Sequence, residues 1–166
     1  MNKPKITVRF YRIRNRLMEK AGGLGANPET SAFPKHVLEE TEVLFKEMIS
    51  DYPDWVQETL SKLTGLVEVC INFEEKRIVS FKQIQEIAHE MKGQGGTFGY
   101  PLVSIFGDGL YDFTGPQAGL TDNHVKIVKA HVDAMKATIN GRIQGDGGQV
   151  GQELKAMLAA AIKQFS

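Results

Sequence analysis

Apolar residues recur three and four positions apart over most of the chain, the period of helices that pack by one face. Residues 6–20 place Ile6, Phe10, Ile13 and Leu17 on one stripe and Arg9, Arg12, Arg16 and Lys20 on another, and Gly22-Gly23-Leu24-Gly25 follows. This predicts an amphipathic helix and a polar loop to Phe33. Two readings stand: the helix packs by its apolar stripe with the basic face in water, or it is a docking arm for an acidic partner or membrane surface. Pro34 suits a helix start. Val37, Leu38, Thr41, Leu44, Phe45, Met48 and Ile49 then give a wide apolar face. Asp51-Tyr52-Pro53 predicts a break and restart, with Asp51 or Tyr52 at the cap.

Val56, Leu60, Leu63, Val67 and Ile71 form the next stripe, with Trp55 beside it as core or edge packing and Cys70 as a small buried apolar residue. Glu74-Glu75-Lys76-Arg77 reads as a solvated turn. Ser80-Phe81-Lys82-Gln83 has the spacing of a capping box, ahead of a helix buried through Ile84, Ile87, Ala88 and Met91. Pro101 opens a further helix with Leu102, Ile105, Phe106, Leu110 and Phe113, ended by Gly115-Pro116. Thr121-Asp122 caps one carrying Val125, Val128, Val132, Met135 and Ile139, closed by Asn140-Gly141. After the flexible link Gly145–Gly148, the residues Val150, Leu154, Met157, Leu158, Ala161, Ile162 and Phe165 make a last amphipathic helix. No alternating strand pair and no repeat is found. The expected fold is all-α: an antiparallel four-helix bundle over 34–140, with 1–33 as a basic arm and loop and 141–166 as a glycine-rich link and C-terminal helix.

Composition narrows the class. With 166 residues, 42% hydrophobic and 24% charged, the chain is long enough for a hydrophobic core of its own. No run approaches a membrane span or a secretory signal, and one cysteine precludes an internal disulfide framework, so the expected compartment is the cytoplasm. The 20 basic and 20 acidic residues cancel, yet residues 1–20 hold seven Lys or Arg and one acid, a net of +6. A global nucleic-acid binder is not indicated; a basic arm on a mildly acidic body is.

The chemistry concentrates in Ala88-His89-Glu90-Met91-Lys92-Gly93-Gln94-Gly95-Gly96-Thr97-Phe98-Gly99. His89 lies about 140° around the helix from Ile84, so it flanks the core and reaches solvent. Lys92, Gly93 and Gly96 follow at i+3, i+4 and i+7, on its side of the helix. Glycine costs about 1 kcal/mol relative to alanine inside a helix, so several glycines beside one exposed histidine need a local reason. Bare backbone lets a bulky partner or a phosphoryl group approach the ring. A neutral imidazole is a nucleophile, and a cation one turn away offsets the charge of a phosphoryl group carried on it.

This segment resembles the histidine-containing phosphotransfer (HPt) domains of phosphorelays. Their motif is a histidine, two residues, Lys-Gly and a later glycine before a second amphipathic helix; here it is His89-x-x-Lys92-Gly93, then Phe98-Gly99, then Leu102 through Phe113. The resemblance implies an antiparallel four-helix bundle with His89 as phosphoacceptor, Lys92 as charge partner and Gly93 kept bare. It implies a phosphoryl carrier rather than a stand-alone enzyme. The partners implied are response-regulator receiver domains and a hybrid histidine kinase, with Mg²⁺ on the receiver and no cofactor or metal on this chain. Gly93, Gln94, Gly96 and Tyr111 would meet the partner, with Gly95 also permitting close approach. The chain departs from the family in Gln94-Gly95-Gly96, where small residues such as Ser or Ala are usual, and in Asp108, which would repel a phosphoryl group. A polar side chain of the second helix often hydrogen-bonds near the histidine in this family; here that stretch offers Asp108, Tyr111 and Asp112 without a clear glutamine, and the Tyr111 hydroxyl would take that place. Glycines after Lys92 would shorten or loosen the histidine helix.

The alternative is an HPt-shaped interaction module that binds a receiver or kinase domain without carrying phosphate. A further option is a basic-arm adaptor working through residues 6–20. His124 and His131, seven residues apart, and His36 are expected at the surface. Four scattered histidines without a cysteine partner do not make a zinc site, and the glycine cluster fits no nucleotide-binding motif.

Overall fold

The three-and-four spacing resolves into helices throughout residues 35–166, the part of the chain that the structure, a computed structural model, describes. Among these residues the regular structure is all helical: α1 (Lys35–Asn72), a 3₁₀ turn (Glu74–Lys76), α2 (Arg77–Thr97), α3 (Pro101–Phe113), α4 (Asp122–Asn140) and α5 (Gly148–Phe165). No helix among them is long and apolar enough to cross a membrane. The helix expected over 6–20 and the start at Pro34 lie outside the described residues. The chain divides into two compact units, Met1–Phe45 and Lys46–Ser166. In the first, His36–Phe45 is helical, with Leu38, Val43, Leu44 and Phe45 exposed and Val37 half-buried.

The expected break at Asp51-Tyr52-Pro53 does not occur, and α1 runs through Pro53. Proline removes one backbone donor and crowds the carbonyl four residues earlier, here that of Ile49, but its fixed φ is close to the helical value. Packing holds the turn: Tyr52, Pro53 and Val56 are buried, and the Tyr52 ring stacks on Phe98 at 4.7 Å. Neither Asp51 nor Tyr52 is a cap.

The core of the second unit joins Val56, Leu60, Leu63, Val67 and Cys70 of α1 to Ile84, Ala88 and Met91 of α2. From α3 come Leu102, Val103, Phe106 and Leu110, and from α4 Val125, Val128, Val132, Met135 and Ile139. Two stripe members fall outside it. Ile71 and Ile105 are both 50% exposed. At about 100° per residue, Ile71 has drifted some 60° from Val56, and Cys70 takes the inward place. On α3, Val103 rather than Ile105 sits on the buried arc.

Contacts at helix ends give the directions. The start of α2 meets the end of α1, where the Arg77 guanidinium donates from Nε to the Cys70 carbonyl at 2.8 Å, whereas Phe98 beyond the end of α2 meets Tyr52. Gln85 of α2 donates to the carbonyl of Tyr111 near the end of α3. Phe113 of α3 contacts both His124 and His131 of α4. Lys126 of α4 lies over Phe165 at the end of α5. Successive helices therefore run in opposite directions, and Gln57 of α1 reaches Asn140 of α4 at 2.9 Å.

Several local expectations change. Ser80 does not cap α2; it is buried in the helix, which starts directly from the 3₁₀ turn. Glu74, Glu75 and Lys76 are exposed as expected, but Arg77 is 3% exposed. Its guanidinium also donates to the Leu120 carbonyl at 2.6 Å and to Asp122 at 2.5 Å, tying the ends of α1 and α2 to the start of α4. His131 is buried rather than superficial. α4 packs against both α3 and α5, which widens its buried arc, and Gly109 leaves room for the ring: a Cβ there would lie 2.5 Å from its Nε2. His36 is exposed and His124 half-buried. Thr121 caps α4 as expected, accepting from the His124 amide. Val150 and Met157, placed on the stripe of α5, are exposed. The Gly145–Gly148 link is anchored, not merely flexible: the Gly145 amide donates to the Gly99 carbonyl at 2.9 Å, and Gly147, at φ 72°, packs on Ile143 and Leu102.

Candidate functional site around His89

The glycine segment is helical to Thr97, so Gly93, Gly95 and Gly96 do not shorten α2. The helix closes in a Schellman motif: the Tyr100 amide donates to the Gly95 carbonyl at 2.7 Å and the Gly99 amide to that of Gly96 at 3.4 Å. Gly99 at φ 81° supplies the left-handed turn. Pro101 then sits in the first turn of α3, and the antiparallel return brings α3 beside α2.

The glycines divide by role. Gly95 is buried, and a Cβ there would lie 2.7 Å from the Ser104 amide nitrogen and 2.8 Å from the Tyr100 carbonyl. It sets the crossing of α2 and α3 and is not a docking position, correcting the expectation for it. The Gly96 amide donates to Ser104 Oγ at 2.8 Å. A Cβ at Gly93 would meet nothing within 4 Å.

His89 is exposed on α2, with its ring 5.7 Å from that of Tyr111 and tilted at 47°. Among the described residues neither ring nitrogen has a hydrogen-bond partner. The ring borders a shallow recess of about 400 Å³ lined by Gln85, Glu86, His89, Glu90 and Tyr111. Lys92 Nζ lies 5.8 Å from the centre of the Tyr111 ring and forms an ion pair with Asp108 of α3. The hydrogen bond that Lys92 donates to Asp108 raises the Lys92 pKa above its ordinary value, and the charges of Asp108, Asp112 and Tyr111 add to the effect. Lys92 is thus a firm cation whose charge is already met by a carboxylate. That pair is half exposed on both sides, so water and salt screen it.

The structure therefore brings His89, Lys92 and Tyr111 together, with Gly93 one turn on and Gly96 two turns on, along the same side of α2. Gln94 is also exposed, but it follows His89 by five residues, about 140° around the helix, and does not line the recess. Sequence reasoning passed over Gln85. It lies one turn before His89 and borders the same recess while its amide holds the Tyr111 carbonyl at 3.3 Å. The i−4 spacing was the available signal. Ser104 was missed as well, and nothing in a lone serine within a helix announces the contact it makes.

No group of three or more His, Cys, Asp or Glu among the described residues is placed to hold a metal ion. Cys70 is buried, and desolvation raises its thiol pKa, which disfavours a reactive thiolate. No protein-family model, no curated protein and no solved structure matches the chain.

Proposed function

We propose that the chain is a phosphorelay intermediate of the HPt type: an antiparallel four-helix bundle, formed by α1 to α4 and extended by α5, that carries a phosphoryl group on His89. The observation that carries this reading is the exposed imidazole of His89 with a lysine one turn along the same helix and a bare Gly93 beside it. The donor would be an aspartyl phosphate on a response-regulator receiver domain, charged in turn by a hybrid histidine kinase. A neutral ring nitrogen attacks phosphorus, the N–P bond forms, the P–O bond to aspartate breaks and the aspartate leaves as a carboxylate. The proton of the other ring nitrogen is lost to solvent. The reverse sequence passes the group to another receiver. The receiver would supply Mg²⁺, and this chain would need no cofactor or metal of its own. Lys92 would turn from Asp108 toward the phosphoryl oxygens, and the recess beside Tyr111 would take part of the partner. The cytoplasm is the compartment in which such partners meet it.

The ion pair of Lys92 with Asp108 favours a second reading, a module that binds a receiver or kinase domain and regulates it by occupancy alone. Incubating the full chain and its His89→Gln variant with a panel of phosphorylated receiver domains separates the two. The carrier reading expects acid-labile, alkali-stable label on the unaltered chain and none on the variant. Binding that survives the substitution, with no label on either protein, supports the module instead.

A further inference from the structure

The described part of the first unit presents an apolar helix face that water covers poorly. Leu38 is 47% exposed and Leu44 60%. With Thr41 between them, they occupy one arc of about 120° on α1. Glu40 borders the arc on one side and Glu42 on the other, with Glu39 beyond. Residues 36–45 contain no Lys or Arg. An apolar stripe with acidic edges fits a helix with an apolar stripe and basic edges. Residues 6–20 of the same chain have that pattern, with Ile6, Phe10, Ile13 and Leu17 bordered on one side by Arg9, Arg12, Arg16 and Lys20 and on the other by Arg14. A second copy of the 36–45 face would set glutamate against glutamate, so charge disfavours self-pairing there.

We propose that the Leu38–Leu44 face of α1 is the docking site for residues 6–20 of the same chain. The two segments form a helical hairpin whose connecting residues 21–34 contain Gly22-Gly23-Leu24-Gly25 and Pro28. The arginines face the glutamates along the edges and the apolar stripes meet between them. In this arrangement the basic arm is spent within the molecule and is not offered to nucleic acid or a membrane. The proposal does not depend on phosphotransfer at His89.

Hydrogen exchange of the full-length protein tests it, read over residues 36–45 with the molar mass followed in parallel. Leu17→Asp is expected to raise exchange there about tenfold at any protein concentration, leaving residues 56–140 unchanged. Arg9→Glu with Arg12→Glu and Arg16→Glu should do the same, and adding Glu39→Lys, Glu40→Lys and Glu42→Lys should restore protection. Because Leu17 lies outside the segment being read, its substitution does not disturb α1 directly. Exchange over 36–45 that ignores Leu17→Asp overturns the proposal. So does protection that grows with concentration alongside a dimeric mass, which would make a second copy the occupant.

Discussion

At the scale of single residues, neighbouring glycines of α2 have opposite meanings. Gly95 sits where backbone of α3 leaves no room for a methyl group, and Gly93 faces open space. Gly95→Ala should therefore lower the unfolding free energy by about 1–3 kcal/mol, the usual effect of overpacking. Gly93→Ala should raise it by up to about 1 kcal/mol through helix propensity, while slowing phosphoryl transfer by obstructing the partner. Urea titration of the two variants checks the sign of each. The ion pair beside them is a second lever. Exposed pairs contribute little to stability, so Asp108→Asn should release Lys92 at small cost to the fold. The lifetime of the label on His89, followed by its hydrolysis rate, should lengthen by a few-fold. An unchanged or shortened lifetime would remove Lys92 from the account. The exposure of His89 and the place of Lys92 were legible in the sequence because both follow from helical spacing within one element. The partnership of Lys92 with Asp108 was not, because it depends on how α3 is laid against α2.

At the scale of elements, Arg77 shows how a junction can be hidden in a polar run. Glu74-Glu75-Lys76-Arg77 has the composition of a solvated turn, and three of its members are one. The fourth is buried and collects the carbonyls of Cys70 and Leu120 with the carboxylate of Asp122. Arg77→Met should destabilise the protein by about 1–3 kcal/mol, since it leaves the buried Cys70 carbonyl and the part-buried Leu120 carbonyl without this donor. Denaturant unfolding of the variant should show a lower midpoint, and an unaltered midpoint would mean that the junction is held by other contacts. Helices with continuous stripes, such as α4, were legible almost to the residue. Element boundaries that rest on tertiary packing were not. Pro53 looks like a breaker by local rules, yet the aromatic stack of Tyr52 on Phe98 carries α1 through it, and Ser80 looks like a cap although α2 begins a turn earlier.

For the molecule as a whole, the buried histidine of α4 ties stability to pH. His131 lies beside Gly109 and Phe113, and its Nδ1 donates to the Ile127 carbonyl at 2.9 Å. Burial lowers its pKa from the ordinary 6.5, and the hydrogen bond opposes the shift without cancelling it. Below that pH the unfolded chain takes up a proton that the native chain refuses. Stability should therefore be full above 6.5 and fall as the pH drops, by no more than about 1.4 kcal/mol per pH unit for the one proton involved. His131→Leu should flatten this dependence when unfolding is measured at several pH values between 7.5 and 5. A slope that survives the substitution would assign it to other groups. The sequence placed His131 at the surface because one helix's stripe does not reveal that two neighbours flank it.

Mass-spectrometric localisation of the phosphoryl group tests the central claim most directly. It would use the full-length chain after exposure to phosphorylated receiver domains, handled at alkaline pH to preserve an N–P bond. The account predicts a single modified peptide carrying the group on His89, with His36, His124 and His131 unmodified. A group found on another residue, or none from any receiver that binds the protein, would contradict it.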